Sequence, residues 1–369
     1  SVSYGTTGNQ GFNTNTAYRM YSKDSWTYYN GQWMTVYGLM HNQNRDMKWE
    51  IKKEFDVGLD FSLFNRRLNG RMDYFSRKIE DAIYSGIPVA SPPAVYATST
   101  VNIGDITNKG FEFELNGRVV DTKDWTFDTS LVGSFVGKSR LEGMAKDTHM
   151  EFQAMPHGGG SAVRIFGGQE IGRYFLYRFA GVREEDGTPM IYSKDNKVIP
   201  YASGTDEDRV QTGNGLPKAV LSWNNTVRYR NWDLNLFFRS WLGQDVYNVT
   251  DMIQGVNCKI TEGQNLLRTA YRRNKAITNT DRLMLLDYWL EKGDFLKLDA
   301  VTLGYTLPRN KIKYVEKLRC YFTVRNVCTL TGYSGLDPEV NVNGLAPGFK
   351  GMSQYPRTRS FILGIEIGF

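Results

Sequence analysis

Apolar and polar residues alternate strictly along the end of the sequence. Every second position of the C-terminal stretch is apolar: Phe361, Leu363, Ile365, Ile367 and Phe369. The positions between them include Gly364, Glu366 and Gly368. Because successive side chains of a β-strand point to opposite faces, this pattern predicts a strand with one wholly apolar face. The same alternation recurs in the stretches 54–63, 108–120, 125–135 and 232–239.

These stretches are longer than the strands of soluble sheets. The strand runs to which they belong have 10 to 17 residues, whereas strands of globular proteins most often have about 5 to 6. A membrane-spanning strand needs about 9 to 11 residues. Aromatic residues, which form girdles at membrane interfaces, stand at several ends: Trp125, Trp232, Tyr305 and Phe369. The pattern predicts an all-β fold, a transmembrane antiparallel β-barrel, with a long soluble sheet as the alternative.

Short and long connections alternate between the predicted strands. The short ones lie at 65–67, 121–124, 230–231 and 308–316, and the long ones at 9–47, 79–107, 138–217, 243–293 and 332–357. Membrane barrels have short turns on the periplasmic side and longer loops outside the cell. The alternation therefore predicts ten spanning strands. If segment 138–217 holds a further pair, with one member at 174–182, the count becomes twelve.

The composition excludes several other classes of protein. Lys plus Arg total 45 and Asp plus Glu total 39, a net charge of +6, and the basic residues are spread along the chain. No nucleic-acid-binding surface is therefore predicted. The three histidines, at 41, 149 and 157, have no neighbour in sequence that would complete a catalytic triad or a metal site. We expect the protein not to be an enzyme and to hold no cofactor.

Two acidic loop segments leave one metal interpretation open. Segments 184–187 and 206–208 cluster carboxylates, and Ca²⁺ prefers such oxygen ligands, although neither segment has the register of an EF-hand. Solvated loop is the simpler interpretation, and Ca²⁺ in the extracellular loops is the alternative.

Aromatic residues are frequent in the long segment 9–47. Four of them are candidates for stacking on a sugar or peptide ligand: Trp26, Tyr28, Tyr29 and Trp33. The alternative is that they pack ordinarily within strands that continue above the membrane. The sequence leaves both interpretations open.

Several short motifs follow one another along the whole chain: SYGTTGNQ at 3–10, WE at 49–50, GLDF at 58–61, NIG at 102–104, NKGFE at 108–112, LKL at 296–298, VTLGYTLP at 301–308, SGLDPEV at 334–340 and YPR at 355–357. As an ordered set they resemble the SusC/RagA-like branch of TonB-dependent outer-membrane transporters. The resemblance implies a 22-stranded barrel in the outer membrane of a Gram-negative cell. Residues 1–369 would be its C-terminal 10 to 12 strands, with the plug domain and early strands absent.

The resemblance also implies function and partners. Such transporters import oligosaccharides or peptides, driven by TonB–ExbB–ExbD, and a SusD-like surface lipoprotein closes over the barrel as a lid. Outer-membrane lipid and the N-terminal half of the same transporter would be further partners. The motif Ser334, Gly335, Leu336, Asp337, Pro338 and Glu339 would contact the lid or act as a hinge. The alternatives are a passive porin and a surface glycan-binding β-protein.

The last residues resemble the assembly signal of outer-membrane proteins, in which a glycine, an apolar residue and a terminal aromatic residue have fixed spacing. Gly364, Ile367 and Phe369 match that signal, whereas Ile362 stands where a polar residue is usual. We expect these three residues to direct assembly into the membrane.

Overall fold

The computed structural model describes residues 1–11, 14–89, 94–144, 149–155, 160–257, 263, 265–278, 284–308, 315–349 and 355–368. Of the residues that the sequence assigns to sites, Phe369 lies outside these ranges. Strands dominate the described part. They are β1 (Val2–Asn9), β2 (Tyr21–Tyr29), β3 (Gln32–Leu39), β4 (Glu50–Leu63), β5 (Leu68–Glu80), β6 (Ile83–Pro88), β7 (Thr98–Asn102), β8 (Asp105–Asp121), β9 (Trp125–Val136), β10 (Arg140–Glu142), β11 (His149–Ala154), β12 (Ser161–Phe166), β13 (Tyr174–Val182), β14 (Pro189–Tyr192), β15 (Val198–Pro200), β16 (Arg209–Thr212), β17 (Ala219–Tyr229), β18 (Trp232–Leu242), β19 (Asp245–Tyr247), β20 (Leu290–Lys292), β21 (Phe295–Thr306), β22 (Lys317–Thr331) and β23 (Ser360–Gly368).

Helices are short in the same ranges. The α-helix α1 spans Val249–Gln254, and 3-10 helices lie at Thr14–Ala17, Tyr201–Ser203, Asp206–Asp208, Arg268–Tyr271 and Asp287–Trp289. None of the helices described has the length and hydropathy needed to traverse a lipid bilayer.

Ten strands form one antiparallel sheet in chain order, β1-β4-β5-β8-β9-β17-β18-β21-β22-β23, with β10 beside β8. Strand β9 pairs directly with β17, from Trp125 opposite Tyr229 to Phe135 opposite Ala219. The predicted count of ten is confirmed. The alternative of twelve is wrong, because no further spanning pair separates β9 from β17. The short connections all lie at one edge of this sheet and the long ones at the other.

The long connections fold into a second layer at the edge of the sheet where they lie. We call this layer the crown and define it as the described residues within 140–218, 243–294 and 333–349. One of its sheets has the order β11-β12-β13-β14-β15, with β16 also paired to β13, and another is the hairpin β19–β20. Strand β13 is therefore a crown strand, and the interpretation of 174–182 as a spanning strand is wrong. Tyr174, Phe175 and Leu176 are buried in succession, since packing covers both faces of β13.

The main hydrophobic core lies in the crown rather than in the ten-stranded sheet. Its largest fully buried side chains include Trp289, Tyr174, Tyr247, Leu176 and Ile165. The apolar residues on the outer face of the sheet remain exposed instead. Because no protein core covers this apolar face, another apolar medium must cover it.

Strand β21 contains one residue outside the regular pairing. Leu298 pairs with Phe238 of β18, and Ala300 pairs with the preceding residue Phe237, so that Asp299 forms a bulge. The pairing between β21 and β22 shifts at the same place. A bulge changes which parity of residues faces each side of the sheet. Lys297 and Ala300 consequently face the same side, although they stand three positions apart.

Candidate functional site

The outer face of the ten-stranded sheet is a continuous apolar surface. On β23, Phe361, Leu363, Ile365 and Ile367 are all exposed, Leu363 at 78 %. The surface extends across the sheet, because Leu363 pairs with Phe322 and Phe322 with Leu303. Soluble proteins seldom expose apolar surface over a whole sheet. This face has the character of the lipid-exposed band of an outer-membrane barrel.

Aromatic residues border this band at the edge with the short turns. Trp125, Tyr229, Trp232 and Tyr305 pair in that order across four neighbouring strands. The ring centroids of Trp125 and Tyr229 are 4.4 Å apart, and those of Trp232 and Tyr305 are 4.8 Å apart. Such rows occur where a barrel meets the lipid headgroups. Three of the aromatic strand ends singled out in the sequence thus belong to one row.

The inner face of the same sheet carries paired charges. Ion pairs between neighbouring strands include Arg77 Nε with Glu54 Oε1 at 2.5 Å and Arg118 Nε with Asp128 Oδ1 at 2.9 Å. Arg319 of β22 reaches across β21 to β18, with its Nη2 2.6 Å from Asp233 Oδ2. Hydrogen bonds such as Thr302 Oγ1 to Thr323 Oγ1, at 2.8 Å, add to this polar surface. A water-filled lumen tolerates such groups, and the face can therefore line a hydrated passage.

The predicted motif at 334–339 lies at the crown end of this inner wall. Lys297 of β21, only 1 % exposed, reaches two of its carboxylates. Its Nζ lies 3.1 Å from Oδ1 of Asp337 and 2.8 Å from Oε2 of Glu339. An ammonium group can be buried in this way only when anions offset the loss of hydration. The contact fixes the motif to the barrel wall.

Two arginines complete the same cluster. Arg239 of β18 donates to Asp299 Oδ2 at 2.8 Å and to both oxygens of Glu339 at 3.2 Å. Arg357 lies 3.0 Å from Asp337 Oδ2 and 2.9 Å from Glu339 Oε1. Burial alone raises the pKa of Glu339, but the hydrogen bonds from Lys297 and Arg239 outweigh it and hold that pKa at about 2. We call Lys297, Arg239, Arg357, Asp299, Asp337 and Glu339 the ion cluster.

The other motif residues have different environments. The amide and the hydroxyl of Ser334 donate to the two carboxylate oxygens of Glu291, each at 2.7 Å. The carbonyl of Pro338 accepts a hydrogen bond from Gln244 Nε2 at 3.2 Å, and Gly335 packs beside the ring of Tyr333. Leu336 is 69 % exposed. Contact with a lid stays a prediction, and Leu336 is the motif side chain best exposed for it.

The four predicted aromatic residues lie on the hairpin β2–β3, whose turn is Asn30-Gly31. Both turn residues have positive φ, 49° and 79°, the geometry of a type I′ turn, which Asn-Gly favours. The register places Tyr28 opposite Trp33 and Tyr29 opposite Gln32. Three of the four, Trp26, Tyr28 and Trp33, therefore share one face, and Tyr29 lies on the other.

All four rings are exposed, Trp33 at 68 %. The centroids of Tyr28 and Trp33 are 5.4 Å apart in an edge-to-face arrangement, and Lys23 Nζ lies 4.0 Å from the ring of Trp26. In the described residues the rings are thus not buried in a core. A ligand-stacking role stays a prediction.

The predicted assembly signal is described at two of its three positions. An added Cβ at Gly364 would lie 2.2 Å from Cζ of Tyr321, so the strand pairing itself requires glycine there. Ile367 is exposed on the outer face of β23, opposite Leu318. Phe369 is outside the described residues. The signal function stays a prediction.

Several carboxylates of the two acidic loops, among them Asp186 and Asp206, accept hydrogen bonds from protein donors. Hydrogen bonds from Arg183 and Thr188 lower the pKa of Asp186, and Asp206 pairs with Arg164 and Arg209. Within the described ranges, no three His, Cys, Asp or Glu residues come together as a metal site. The predictions of no cofactor, and of Ca²⁺ as its alternative, stay untested.

Sequence reasoning missed Lys297, Arg239 and Glu291. One signal for Lys297 was present: it stands between Leu296 and Leu298 inside an otherwise apolar run, and a charge in such a run requires a partner. Neither Arg239 nor Glu291 carries a comparable local signal, because their partners lie 100 and 43 residues away.

Comparison with known proteins agrees with this geometry. The family profile "TonB dependent receptor-like, beta-barrel" matches residues 1–327. TonB-dependent receptor P3 of Formosa agariphila is 27 % identical over 402 residues, covering 100 % of this chain and 39 % of that protein. TonB-dependent receptor SusC of Bacteroides thetaiotaomicron is 26 % identical, covering 88 % of this chain and 32 % of its own length.

The structure of the RagAB peptide transporter superposes with a TM-score of 0.81 at 19 % identity, covering 100 % of this chain and 40 % of the transporter chain. That likeness shows the fold. The chain spans about two fifths of the length of the first of these relatives. With its lipid-type outer band and its polar inner wall, the chain belongs to the TonB-dependent receptor β-barrel family of the outer membrane.

Proposed function

We propose that the chain forms part of the wall and of the extracellular mouth of an importer of oligosaccharides or peptides. TonB–ExbB–ExbD would energise this importer. The observation that carries this proposal is the combination of an apolar outer face with a charged inner face on one ten-stranded sheet. Such a sheet separates lipid from a hydrated passage. The family provides the link to TonB.

The crown favours gated import over passive diffusion. Its packed core of Trp289, Tyr174 and Tyr247 lies above the wall, whereas a simple pore needs an open mouth. A plug-bearing N-terminal half and a SusD-like lipoprotein lid are the partners we propose for it. Of the similar structures, RagAB is described as a peptide transporter, and SusC gives its name to the receptor branch that the motifs resemble.

We also propose that the protein breaks no bond in its substrate. Its named relatives are receptors, and the inner-wall carboxylates are spread along strands in pairs with arginines. General acid–base catalysis requires such groups to converge on one reacting atom instead.

Deletion of TonB tests the energised mechanism. In cells that carry the intact transporter, uptake of the oligosaccharide or peptide that supports their growth should stop, while leakage of small solutes stays unchanged. Uptake that persists without TonB would favour the passive porin. Purification in detergent from the outer membrane should recover a surface lipoprotein in equal amount, and recovery from the soluble fraction would favour the surface glycan-binding β-protein.

A further inference from the structure

The segment 333–349 runs from the end of β22 across the crown, and we call it the strap. Its first half is bound to the wall by the ion cluster. Its second half reaches a different part of the crown: Leu345 and Ala346 pack against the main hydrophobic core. The strap therefore has attachments at two separate places.

The attachment in the first half consists of buried charges. Three cations and three carboxylates of the ion cluster balance one another, and Lys297 Nζ contacts both strap carboxylates. If the strap moved away, Lys297 and Arg239 would lose both strap carboxylates, and Asp299 would be the one carboxylate of the ion cluster left on the wall. Removal of the anionic partners from a partly buried ion cluster is unfavourable, so separation of the strap from the wall is opposed wherever the wall itself is folded.

The second half is held through the carbonyl of Gly348 and the ring of Phe349. The hydroxyl of Tyr174 lies 2.9 Å from the carbonyl oxygens of both Asp245 and Gly348. Tyr247 N–H donates to the same Gly348 carbonyl at 2.9 Å, and the ring of Phe349 packs 5.7 Å from that of Tyr247. Tyr174 and Tyr247 are fully buried. These contacts are independent of the ion cluster.

We infer that the strap is a fixed part of the barrel mouth, held to the wall by Lys297, and does not act as a hinge that moves with a lid. Within the strap the side chain of Leu336 is exposed, whereas the carboxylates of Asp337 and Glu339 beside it are bound in the ion cluster. The inference rests on the proposed function only for the lid: the rigidity of the strap is a property of this chain alone.

Hydrogen exchange followed by mass spectrometry tests the inference on the intact outer-membrane protein in detergent. In the wild-type protein, peptides from 333–349 should exchange as slowly as those of the crown core. Lys297→Met should speed exchange of the strap by at least about tenfold, because the variant lacks the cation that binds both strap carboxylates to the wall and local opening then costs less. Lys317→Met is the matched control, since it removes the half-exposed pair with Glu366 at the other end of the sheet.

A second variant protects the test against loss of folding. Heat-modifiable migration in gels reports whether each variant assembles. Should Lys297→Met fail to assemble, Glu339→Gln leaves Lys297 its contact with Asp337 and should still speed strap exchange while crown-core exchange stays unchanged. Strap exchange that is equally slow in wild type and an assembled variant would overturn the role of Lys297.

The hinge alternative has its own readout. The same exchange experiment is run with and without the lipoprotein that co-purifies with the transporter. Equal strap exchange in both samples supports a fixed strap, and a change of about tenfold or more upon removal of the lipoprotein would overturn it. If no lipoprotein co-purifies, the proposed lid fails, while the comparison of Lys297→Met with wild type still decides the rigidity of the strap.

Discussion

Lys297 Nζ lies 2.8 Å from Glu339 Oε2, although 42 residues separate the two in sequence. One belongs to a strand of the barrel wall and the other to the last long loop. Their contact links the inner face of the barrel wall to the crown.

Lys297→Met should lower the free energy of unfolding by about 3 kcal/mol, because loss of one partner leaves buried carboxylates without full compensation. Urea titration of the protein in lipid vesicles measures the change. Lys317→Met, at an exposed pair, should cost at most about 1 kcal/mol. Equal effects of the two substitutions would contradict a special role for the buried lysine.

Leu363→Arg should cost about 2 to 4 kcal/mol if the outer face of β23 meets lipid near the bilayer centre. Its neighbour Ile362 lies on the opposite face of the same strand and provides the control, because Ile362→Arg points into the hydrated passage. Unfolding in vesicles again gives the measurement. If Ile362→Arg lowered the unfolding free energy more than Leu363→Arg, the model in which the outer face of β23 meets lipid would be contradicted.

The pKa of Glu339, about 2, lies below its value of about 4.3 in an unfolded chain. The stabilisation from this carboxylate is therefore fully present above pH 4.3 and is lost as the pH falls toward 2. We expect the unfolding free energy of wild type minus that of Glu339→Gln to be constant from pH 7 to 5 and to shrink below pH 4. A difference that changes mainly between pH 7 and 5 would implicate another group.

Trp33→Ala should reduce uptake of the oligosaccharide or peptide without a large effect on stability, because the ring is exposed and substitutions at such sites change stability by about 0.5 kcal/mol or less. Tyr29→Ala removes a similarly exposed ring from the other face of the hairpin. Uptake rate at limiting substrate is the measurement. Equal losses from both substitutions would argue against one ligand-binding face.

Gly364→Ala should hinder assembly of the barrel, because the new Cβ meets the ring of Tyr321 and overpacking costs about 1 to 3 kcal/mol. Gly332→Ala is the control, since nothing lies within 4 Å of the Cβ it would add. Folded protein in the outer membrane is quantified for each. If Gly364→Ala combined with Tyr321→Ser restores assembly, strand packing explains the glycine; if it does not, the assembly-signal prediction gains support.

Most of the ten spanning strands could be predicted because they are long and have one apolar and one polar face, so that the alternation appears in the sequence itself. The crown could not be predicted in this way. Its strand β12 has four buried residues in succession, from Ala162 to Ile165, and a strand covered on both faces shows no alternation. The same property explains why the sequence leaves open whether segment 174–182 belongs to a further spanning pair.

The ion cluster illustrates a second limit. The motif at 334–339 could be singled out by resemblance, but its partners on the wall could not, because Arg239 and Glu339 are 100 residues apart. Local patterns carry no information about which charges meet after the chain has folded. The bulge at Asp299 adds to the difficulty, since it shifts the alternation in the middle of β21.

Because of that bulge, the number of residues in β21 determines which side chains face outward as much as their identity does. Before it, Leu296 and Leu298 face outward, and after it Val301 and Leu303 do, so the outward positions change from even to odd numbers at Asp299. Removal of this one residue would put the two halves of the strand back into a single phase. Each remaining side chain would keep its face, with Lys297 on the inner face and Leu298 on the outer face, because Leu298 and Ala300 already lie on opposite faces and would become ordinary strand neighbours. Regular pairing of Asp299 within a strand of unchanged length would instead turn over the half of β21 near the crown and bring Lys297 to the apolar outer face.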